Sequence, residues 1–198
     1  MPRSVEFFFD FGSPTSYLAY TQLPGLAERT GARVICRPML LGGVFKATGN
    51  QSPVTVQAKG KWMFADMGRY AKRYGVPFVL NPHFPVNTLN LMRGAIAADA
   101  QGVFQPYADA VYRAMWVEAK NMGDPAVVAE VLRAAGLDAE RLLAATADAD
   151  VKARLIANTE EAVARGAFGA PTFFIGDEMY FGQDRLEFVE DRLLAGAT

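Results

Sequence analysis

The chain has 198 residues, of which 51% are hydrophobic and 21% charged, and its formal net charge is −1. This composition predicts one globular domain with a sizeable core, and it argues against a nucleic-acid partner because basic residues are not concentrated in any stretch. No apolar run approaches the roughly 20 residues that a membrane span needs, and no secretory signal precedes the first predicted strand. We therefore expect a cytoplasmic location and no membrane partner.

The single cysteine and the single histidine limit the chemistry that the protein's own side chains can supply. Cys36 can form neither an internal disulfide nor a Cys-x-x-Cys pair, and its place in a predicted strand favours a buried apolar role. His83 lies in a loop between two prolines, where a satisfied or solvated histidine is expected rather than a catalytic one. We expect no metal site.

The first forty residues predict a β-α-β unit. Its strand, helix and strand are expected at 5–9, 14–29 and 33–41. Ser13 stands at the cap position, ahead of a proline that suits the first helical turn, and Gly31 is a good stop. Pro24 is expected to kink or break the helix.

Most of the next hundred residues predict helices, after a loop signalled by Gly42 and Gly43. The predicted helices span 56–74, 88–100, 107–119, 127–135, 140–147 and 151–165. Together they form a helical insertion at 42–165, and their aromatic and methionine positions are interpreted as core.

Strand signals return near the end of the chain. The sequence predicts a hairpin of strands 172–175 and 179–181, followed by a helix from 185 to about 194 that Asp184 can cap. This order of elements is the thioredoxin-like α/β arrangement, a four-stranded mixed sheet with a large all-helical insertion between its βαβ and ββα halves. The predicted division is 1–41 with 166–198 for the thioredoxin-like domain, and 42–165 for the insertion.

The start of the first helix is a candidate anion site. Ser13 presents a hydroxyl beside free backbone amides at the positive end of the helix dipole. The plain alternative is that Ser13 only caps its helix, which many serines do.

The segment Gly169-Ala170-Pro171-Thr172-Phe173-Phe174-Ile175 is similar to the cis-proline segment of thioredoxin-fold oxidoreductases of the disulfide-bond-forming type. The resemblance implies a cis bond between Ala170 and Pro171 near the start of the first helix, where a peptide could pair as an added strand does. Those oxidoreductases carry Cys-x-x-Cys at the positions that here read Ser13-Pro14-Thr15-Ser16. Since both sulfurs are missing, we expect the thiol to arrive with a ligand such as glutathione.

A fuller pattern resembles 2-hydroxychromene-2-carboxylate isomerases and the related kappa-class glutathione transferases. The motifs that carry this resemblance over nearly the whole chain are Phe9-Asp10-Phe11-Gly12-Ser13-Pro14 with Ser16-Tyr17, Gly49-Asn50, Lys59-Gly60, Phe84-Pro85-Val86-Asn87-Thr88 and Phe181-Gly182-Gln183-Asp184-Arg185. No chemistry is assigned to Asp10.

The resemblance implies a glutathione site. Ser13 lies beside the glutathione sulfur and donates to the thiolate, and Ala170, next to Pro171, pairs with the cysteinyl backbone. The remaining implied glutathione contacts are Gly182, Gln183 and Asp184 at the γ-glutamyl end, and Asn50 and Lys59 near the cleft. A helix cap for Asp184 and a solvated surface position for Lys59 are the plain alternatives.

The resemblance also implies an acceptor site and a partner. Tyr17, Asn87 and Arg93 are candidate contacts for a small aromatic carboxylate substrate, and a homodimer is expected. The predicted activity is glutathione-dependent isomerisation of 2-hydroxychromene-2-carboxylate, with glutathione as a cofactor that is not consumed. The alternatives are a kappa-like transferase or peroxidase and a non-catalytic peptide-binding module.

Overall fold

Four strands form one mixed sheet in the computed structural model, which describes residues 3–195. The strands are β1 (Ser4–Phe9), β2 (Arg33–Pro38), β3 (Thr172–Ile175) and β4 (Glu178–Phe181). Their order is β2-β1-β3-β4, with β1 and β2 parallel and both later pairs antiparallel. Central β1 places Phe7 opposite Cys36 on one side and Phe173 on the other. The predicted four-stranded mixed sheet is confirmed.

The remainder of the described chain is mainly helical. The α-helices are α1 (Pro14–Thr30), α2 (Leu41–Thr48), α3 (Gln57–Tyr74), α4 (Leu89–Ala100), α5 (Phe104–Trp116), α6 (Pro125–Ala134), α7 (Ala139–Ala145), α8 (Ala149–Ala164) and α9 (Leu186–Ala195). Short 3-10 turns occur at Pro53–Thr55 and Gln183–Arg185. Across residues 3–195, the helices lack the length and apolar character that crossing a bilayer requires.

The predicted second strand is too long, and the loop predicted at Gly42 and Gly43 is wrong. Strand β2 ends at Pro38, and both glycines lie in the first turn of α2. Glycine disfavours helix, but here tertiary contacts outweigh that preference. The carboxylate of Asp10 accepts from the Leu41 amide at 2.8 Å, so a distant side chain holds the helix start in place.

The break considered at Pro24 does not occur, and the bounds predicted for another helix need correction. Helix α1 continues through Pro24, because its buried face, which includes Leu23 and Leu26, packs on the core and holds the helix together. Helix α5 begins at Phe104 and ends at Trp116, three residues ahead of the prediction at both ends. Ala119, the predicted last residue, has a positive φ of 53° and therefore cannot continue a right-handed helix.

The last helix is also entered differently from the prediction. Asp184 lies inside the 3-10 turn Gln183–Arg185, and α9 starts only at Leu186. The Asp184 carboxylate pairs with Arg185 at 2.6 Å instead of capping the helix. Asp184 is therefore exposed at the surface of the turn.

One hydrophobic cluster connects the sheet with the helical insertion. It contains Phe7 and Phe9 of β1 together with Tyr112 and Trp116 of α5. The indole Nε1 of Trp116 donates to the carbonyl oxygen of Phe11 at 2.8 Å, so the insertion is anchored at the end of β1. The division at 42 and 165 stays a prediction, and residues 1, 2 and 196–198 of the proposed domain lie outside the described part.

Candidate active site

The start of α1 forms the first wall of the candidate site. Ser13 has the extended backbone of an N-cap residue, with φ −93° and ψ 111°, and its Oγ accepts from the Ser16 amide at 3.1 Å. Pro14 follows in the first turn, where its missing amide hydrogen costs nothing. The cap expected from the sequence is present, and the Ser13 hydroxyl hydrogen remains available for a second partner.

The cis-proline segment forms the second wall. The bond between Ala170 and Pro171 is cis, as predicted. Ser13 Oγ donates to the carbonyl oxygen of Ala170 at 3.1 Å, and Thr15 Oγ1 donates to the same oxygen at 3.2 Å. The two hydroxyl oxygens are 2.9 Å apart. Thr15 was not singled out in the sequence, although a hydroxyl residue inside the Ser-Pro-Thr-Ser motif was visible there.

The turn before α9 forms the third wall. The amide of Gly182 donates to the carbonyl oxygen of Pro171 at 3.0 Å, which joins this turn to the cis-proline segment. Gly182 has a φ of +103°, and a Cβ at this position would clash with a carboxylate oxygen of Asp184. Gln183 is buried, and its side-chain amide has no hydrogen-bond partner among the described residues. The positive φ at position 182 therefore favours glycine in this turn.

The segment after α2 closes the site. Asn50 Nδ2 donates to the carbonyl oxygen of Phe168 at 2.7 Å, and Asn50 Oδ1 accepts from the Gln51 amide at 2.8 Å. The Asn50 side chain thus connects the loop after α2 with the segment that precedes the cis-proline. Lys59 on α3 is exposed and has no ion-pair partner among residues 3–195.

These walls surround a cavity of about 600 Å³. The predicted glutathione contacts in its lining are Ser13, Asn50, Lys59, Ala170, Gly182, Gln183 and Asp184. Pro171 follows Ala170 directly. Met63, Met67 and Phe84 add an apolar surface to the same lining. A pocket with a few convergent polar groups and a larger apolar surface is typical of a small-molecule site.

The three predicted acceptor contacts lie outside the lining of this cavity. Tyr17 is buried in the core, and its hydroxyl donates to the carbonyl oxygen of Pro77 at 2.6 Å. Asn87 is exposed, and its Oδ1 accepts from the Leu89 amide at the start of α4. Arg93 lines a second cavity. Their proposed roles toward substrate stay predictions.

Asp10 is a structural element of the site that the sequence did not reveal. It is buried, and its carboxylate oxygens accept from the amides of Gly12 and Leu41, each at 2.8 Å. Burial raises the pKa of Asp10, although the hydrogen bonds from Leu41, Gly12 and Thr88 oppose this shift. One carboxylate thus connects the turn before Ser13 with the start of α2. The sequence feature that could have indicated this role is a charged residue inside the otherwise apolar run from Phe7 to Phe11.

No cysteine of the protein lines the cavity. Cys36 is partly buried on β2, and burial raises the pKa of its thiol to about 12. His83 is exposed, and its backbone amide donates to Asn81 Oδ1. Within residues 3–195, no group of three or more His, Cys, Asp or Glu side chains could hold a metal ion. A thiol acting in this cavity must therefore come from a bound molecule.

Comparison with known proteins agrees with this geometry. Residues 4–194 match the family model of the DSBA-like thioredoxin domain. The chain is 34% identical to the 2-hydroxychromene-2-carboxylate isomerase of Sphingobium xenophagum, over 98% of this chain and all of that protein. The chain belongs to this isomerase family of DsbA-like thioredoxin domains. The family resemblance predicted from the sequence motifs is confirmed.

Other relatives of the chain are kappa-class glutathione transferases. The chain is 31% identical to glutathione S-transferase kappa 2 of Caenorhabditis elegans, over 96% of this chain and 92% of that protein. A solved structure of 2-hydroxychromene-2-carboxylate isomerase superposes with a TM-score of 0.85 at 30% identity, covering 98% of this chain and 96% of that one. The relatives are thus isomerases and transferases that share the fold over almost the full length.

Proposed function

We propose that the protein is a glutathione-dependent isomerase that interconverts 2-hydroxychromene-2-carboxylate and trans-o-hydroxybenzylidenepyruvate in aromatic, naphthalene-type catabolism. The observation that carries this proposal is the cavity in which Ser13 meets the Ala170 backbone without any protein thiol. The identity to 2-hydroxychromene-2-carboxylate isomerases supports the reaction class.

The start of α1 is suited to the glutathione sulfur. The positive end of the helix dipole favours a thiolate there and lowers the pKa of the thiol. In the structure the Ser13 hydroxyl donates to the Ala170 carbonyl oxygen. In the proposed complex the cysteinyl amide of glutathione donates to that oxygen, and Ser13 turns its hydrogen to the sulfur. Thr15 keeps a hydroxyl beside both groups.

The charges of the cavity fit the two ends of glutathione. Asp184 offers a carboxylate to the γ-glutamyl ammonium, and the free side-chain amide of Gln183 can bind the adjacent carboxylate. Lys59 is the one cation among the described residues that line the cavity, so we assign it to the glycyl carboxylate. Asn50 orders the loop between them through its bond to Phe168.

The proposed reaction needs a transient nucleophile. The thiolate adds to the carbon–carbon double bond of the chromene, the double bond shifts to the carbon that bears the hydroxyl group, and the ring carbon–oxygen bond breaks, which gives a phenolate and an enol. The former double bond is now single and rotates. The enol then passes its proton to the phenolate, becomes a ketone, re-forms the original double bond and expels the thiolate. The protein binds the thiolate, and Met63, Met67 and Phe84 offer an apolar surface for the aromatic ring.

The decisive experiment incubates the protein with glutathione and the chromene carboxylate, and follows both the substrate absorbance and the glutathione titre. Interconversion with undiminished glutathione is expected, together with no turnover when glutathione is omitted. Absence of turnover with glutathione present would contradict the proposed activity.

A kappa-like transferase or peroxidase is the second candidate, because kappa-class transferases are relatives of similar coverage. The same residues would serve it, but the thiol would be conjugated or oxidised. Consumption of glutathione in stoichiometric amounts distinguishes it from the isomerase. A non-catalytic peptide-binding module, the third candidate, predicts peptide binding at the Ala170 edge that glutathione does not affect.

The homodimer expected from the family belongs to the same proposal. Sedimentation velocity of the full chain measures it directly, and a single species of monomer mass at all concentrations would contradict it.

A further inference from the structure

A second cavity, of about 450 Å³, lies among α2, α4 and α8. Its walls are mainly aliphatic, with Leu40, Leu89, Leu155, Ile156 and Val163 in the lining. Ile156 is 56% exposed, although it belongs to a hydrophobic side-chain type that proteins usually bury. We call this cavity the α8 groove.

Helix α2 separates the α8 groove from the candidate active-site cavity of about 600 Å³, which Ser13 lines and which we call the Ser13 cavity. Gly43 and Ala47 line the α8 groove, whereas Leu41 and Phe45 line the Ser13 cavity. Positions two apart on an α-helix point about 200° away from each other, so the two pairs lie on opposite faces. A ligand in the α8 groove therefore occupies a site separate from the proposed glutathione site.

Arg93 is an unusual residue of the α8 groove. Most arginines of the described chain donate from the side chain to a carboxylate or a carbonyl oxygen. Among those that do not, Arg33 and Arg141 are exposed, whereas Arg93 is half-buried in the wall of a cavity. Partial burial of an unpaired guanidinium is costly, and an anion that reaches it removes this cost.

The other charges of the groove leave a net positive site. Lys152 is half-buried in the lining and has no ion-pair partner within residues 3–195. Glu160 is the single acid of the lining and is exposed. Lys152 and Glu160 lie eight residues apart on α8, which is about 12 Å along the helix. Arg93 and Lys152 together outweigh Glu160, and the lining carries one net positive charge.

We propose that the α8 groove binds a small amphipathic monoanion, an aromatic or aliphatic carboxylate or sulfonate. Its apolar body packs on Leu89, Leu155 and Ile156, where removal of apolar surface from water is favourable. Its charged group pairs with the guanidinium of Arg93. The groove is separate from the proposed glutathione site, since it shares no lining residue with the Ser13 cavity.

The test is a fluorescence titration of the full chain with 8-anilinonaphthalene-1-sulfonate, compared with its uncharged analogue N-phenyl-1-naphthylamine. We expect the sulfonate to bind more tightly than the neutral probe, and Arg93→Gln to weaken sulfonate binding by about tenfold, the loss typical of a charge-assisted hydrogen bond. Arg33→Gln removes an exposed unpaired arginine, and Lys59→Gln removes the cation of the Ser13 cavity. Neither control should change the affinity.

A second variant tests the apolar part of the site without altering its charge. Ala47 is exposed in the lining, so Ala47→Phe fills the groove while the helix and Arg93 remain. We expect weaker binding of both probes. Circular dichroism and thermal unfolding check that each variant is folded.

Several results would overturn the proposal. Unchanged sulfonate affinity in Arg93→Gln excludes the anion contact, and weakening by Lys59→Gln places the probe in the Ser13 cavity. Absence of binding also overturns it. If binding is absent and the chain sediments as a dimer that Ile156→Arg dissociates, then a second copy covers the groove instead of a small molecule.

Discussion

The hydroxyl oxygen of Ser13 lies 3.1 Å from the carbonyl oxygen of Ala170, although 157 positions separate the two residues in the chain. This contact joins the positive end of α1 to the edge of the cis-proline segment. It places a hydroxyl donor and a backbone acceptor where a cysteinyl group can use both. We therefore expect the reactivity of bound glutathione to depend on the Ser13 side chain.

Ser13→Ala is expected to raise the pKa of the bound glutathione thiol and to slow turnover, because the thiolate loses its hydroxyl donor. The change also removes a helix cap and should cost about 1 kcal/mol of folding stability. Thiolate absorbance measured against pH, in the presence of saturating glutathione, checks the pKa. Asp124→Ala is the matched control, since it removes the cap of α6, a bond of 2.8 Å to Ala126, without touching the cavity. A thiol pKa that is the same in wild type and Ser13→Ala would refute the role of Ser13.

Asp184→Asn is expected to weaken glutathione binding by about tenfold, because the ligand's ammonium loses its carboxylate partner. Isothermal titration calorimetry measures the dissociation constant. Arg185→Gln is the control: it removes the cation that now pairs with Asp184 at 2.6 Å, so binding should stay the same or tighten. Weaker binding in Arg185→Gln would instead assign the contact to Arg185.

Asn50→Ala is expected to weaken glutathione binding several-fold through the loss of a hydrogen bond that orders the loop, not through a change in charge. The broken contact is the 2.7 Å bond from Nδ2 to the Phe168 carbonyl oxygen. The affinity should therefore fall without any change in its dependence on salt concentration. Gln51→Ala, which alters the neighbouring lining residue, should bind glutathione normally.

Asp10→Asn is expected to destabilise the fold by about 1–3 kcal/mol, because the Asn amide group cannot accept from the Gly12 or Leu41 amide that it faces. Urea unfolding measures this loss.

Burial raises the folded-state pKa of Asp10 above its ordinary value of 3.8, so the native state binds the proton more tightly than the unfolded chain. The Asp10 contribution to stability therefore grows as the pH falls through the folded-state pKa toward 3.8.

The stability difference between wild type and Asp10→Asn should accordingly widen on acidification. Asp138→Asn is the matched control, since it removes the same charge from an exposed position. A difference that is constant with pH would contradict the raised pKa of Asp10.

Cys36 is expected to react slowly with iodoacetamide in the folded protein, because burial raises the pKa of its thiol to about 12 and leaves little thiolate at neutral pH. Cys36→Ala should keep full glutathione-dependent activity. Mass spectrometry of the alkylated protein, with a urea-unfolded sample as the reactive control, checks the first point. Loss of activity in Cys36→Ala would show that the protein supplies a thiol of its own.

Local sequence signals specify the order of the strands along the chain and the start of the first helix. The cap at Ser13 is such a signal, because serine suits the backbone and the amides of a helix start wherever that helix packs. The cis bond before Pro171 and the role of Gly182 were implied instead by the resemblance of their motifs to known families. The single cysteine likewise cannot supply the Cys-x-x-Cys pair of a disulfide oxidoreductase.

Which elements and side chains face the cavity depends instead on tertiary packing. Helix α2 forms over two glycines because Asp10, 31 positions away from Leu41, holds its first amide. Arg93 lines the α8 groove rather than the Ser13 cavity because α2 lies between them. A helical period predicts that a residue is on a face, but the packing of neighbouring helices determines what that face contacts.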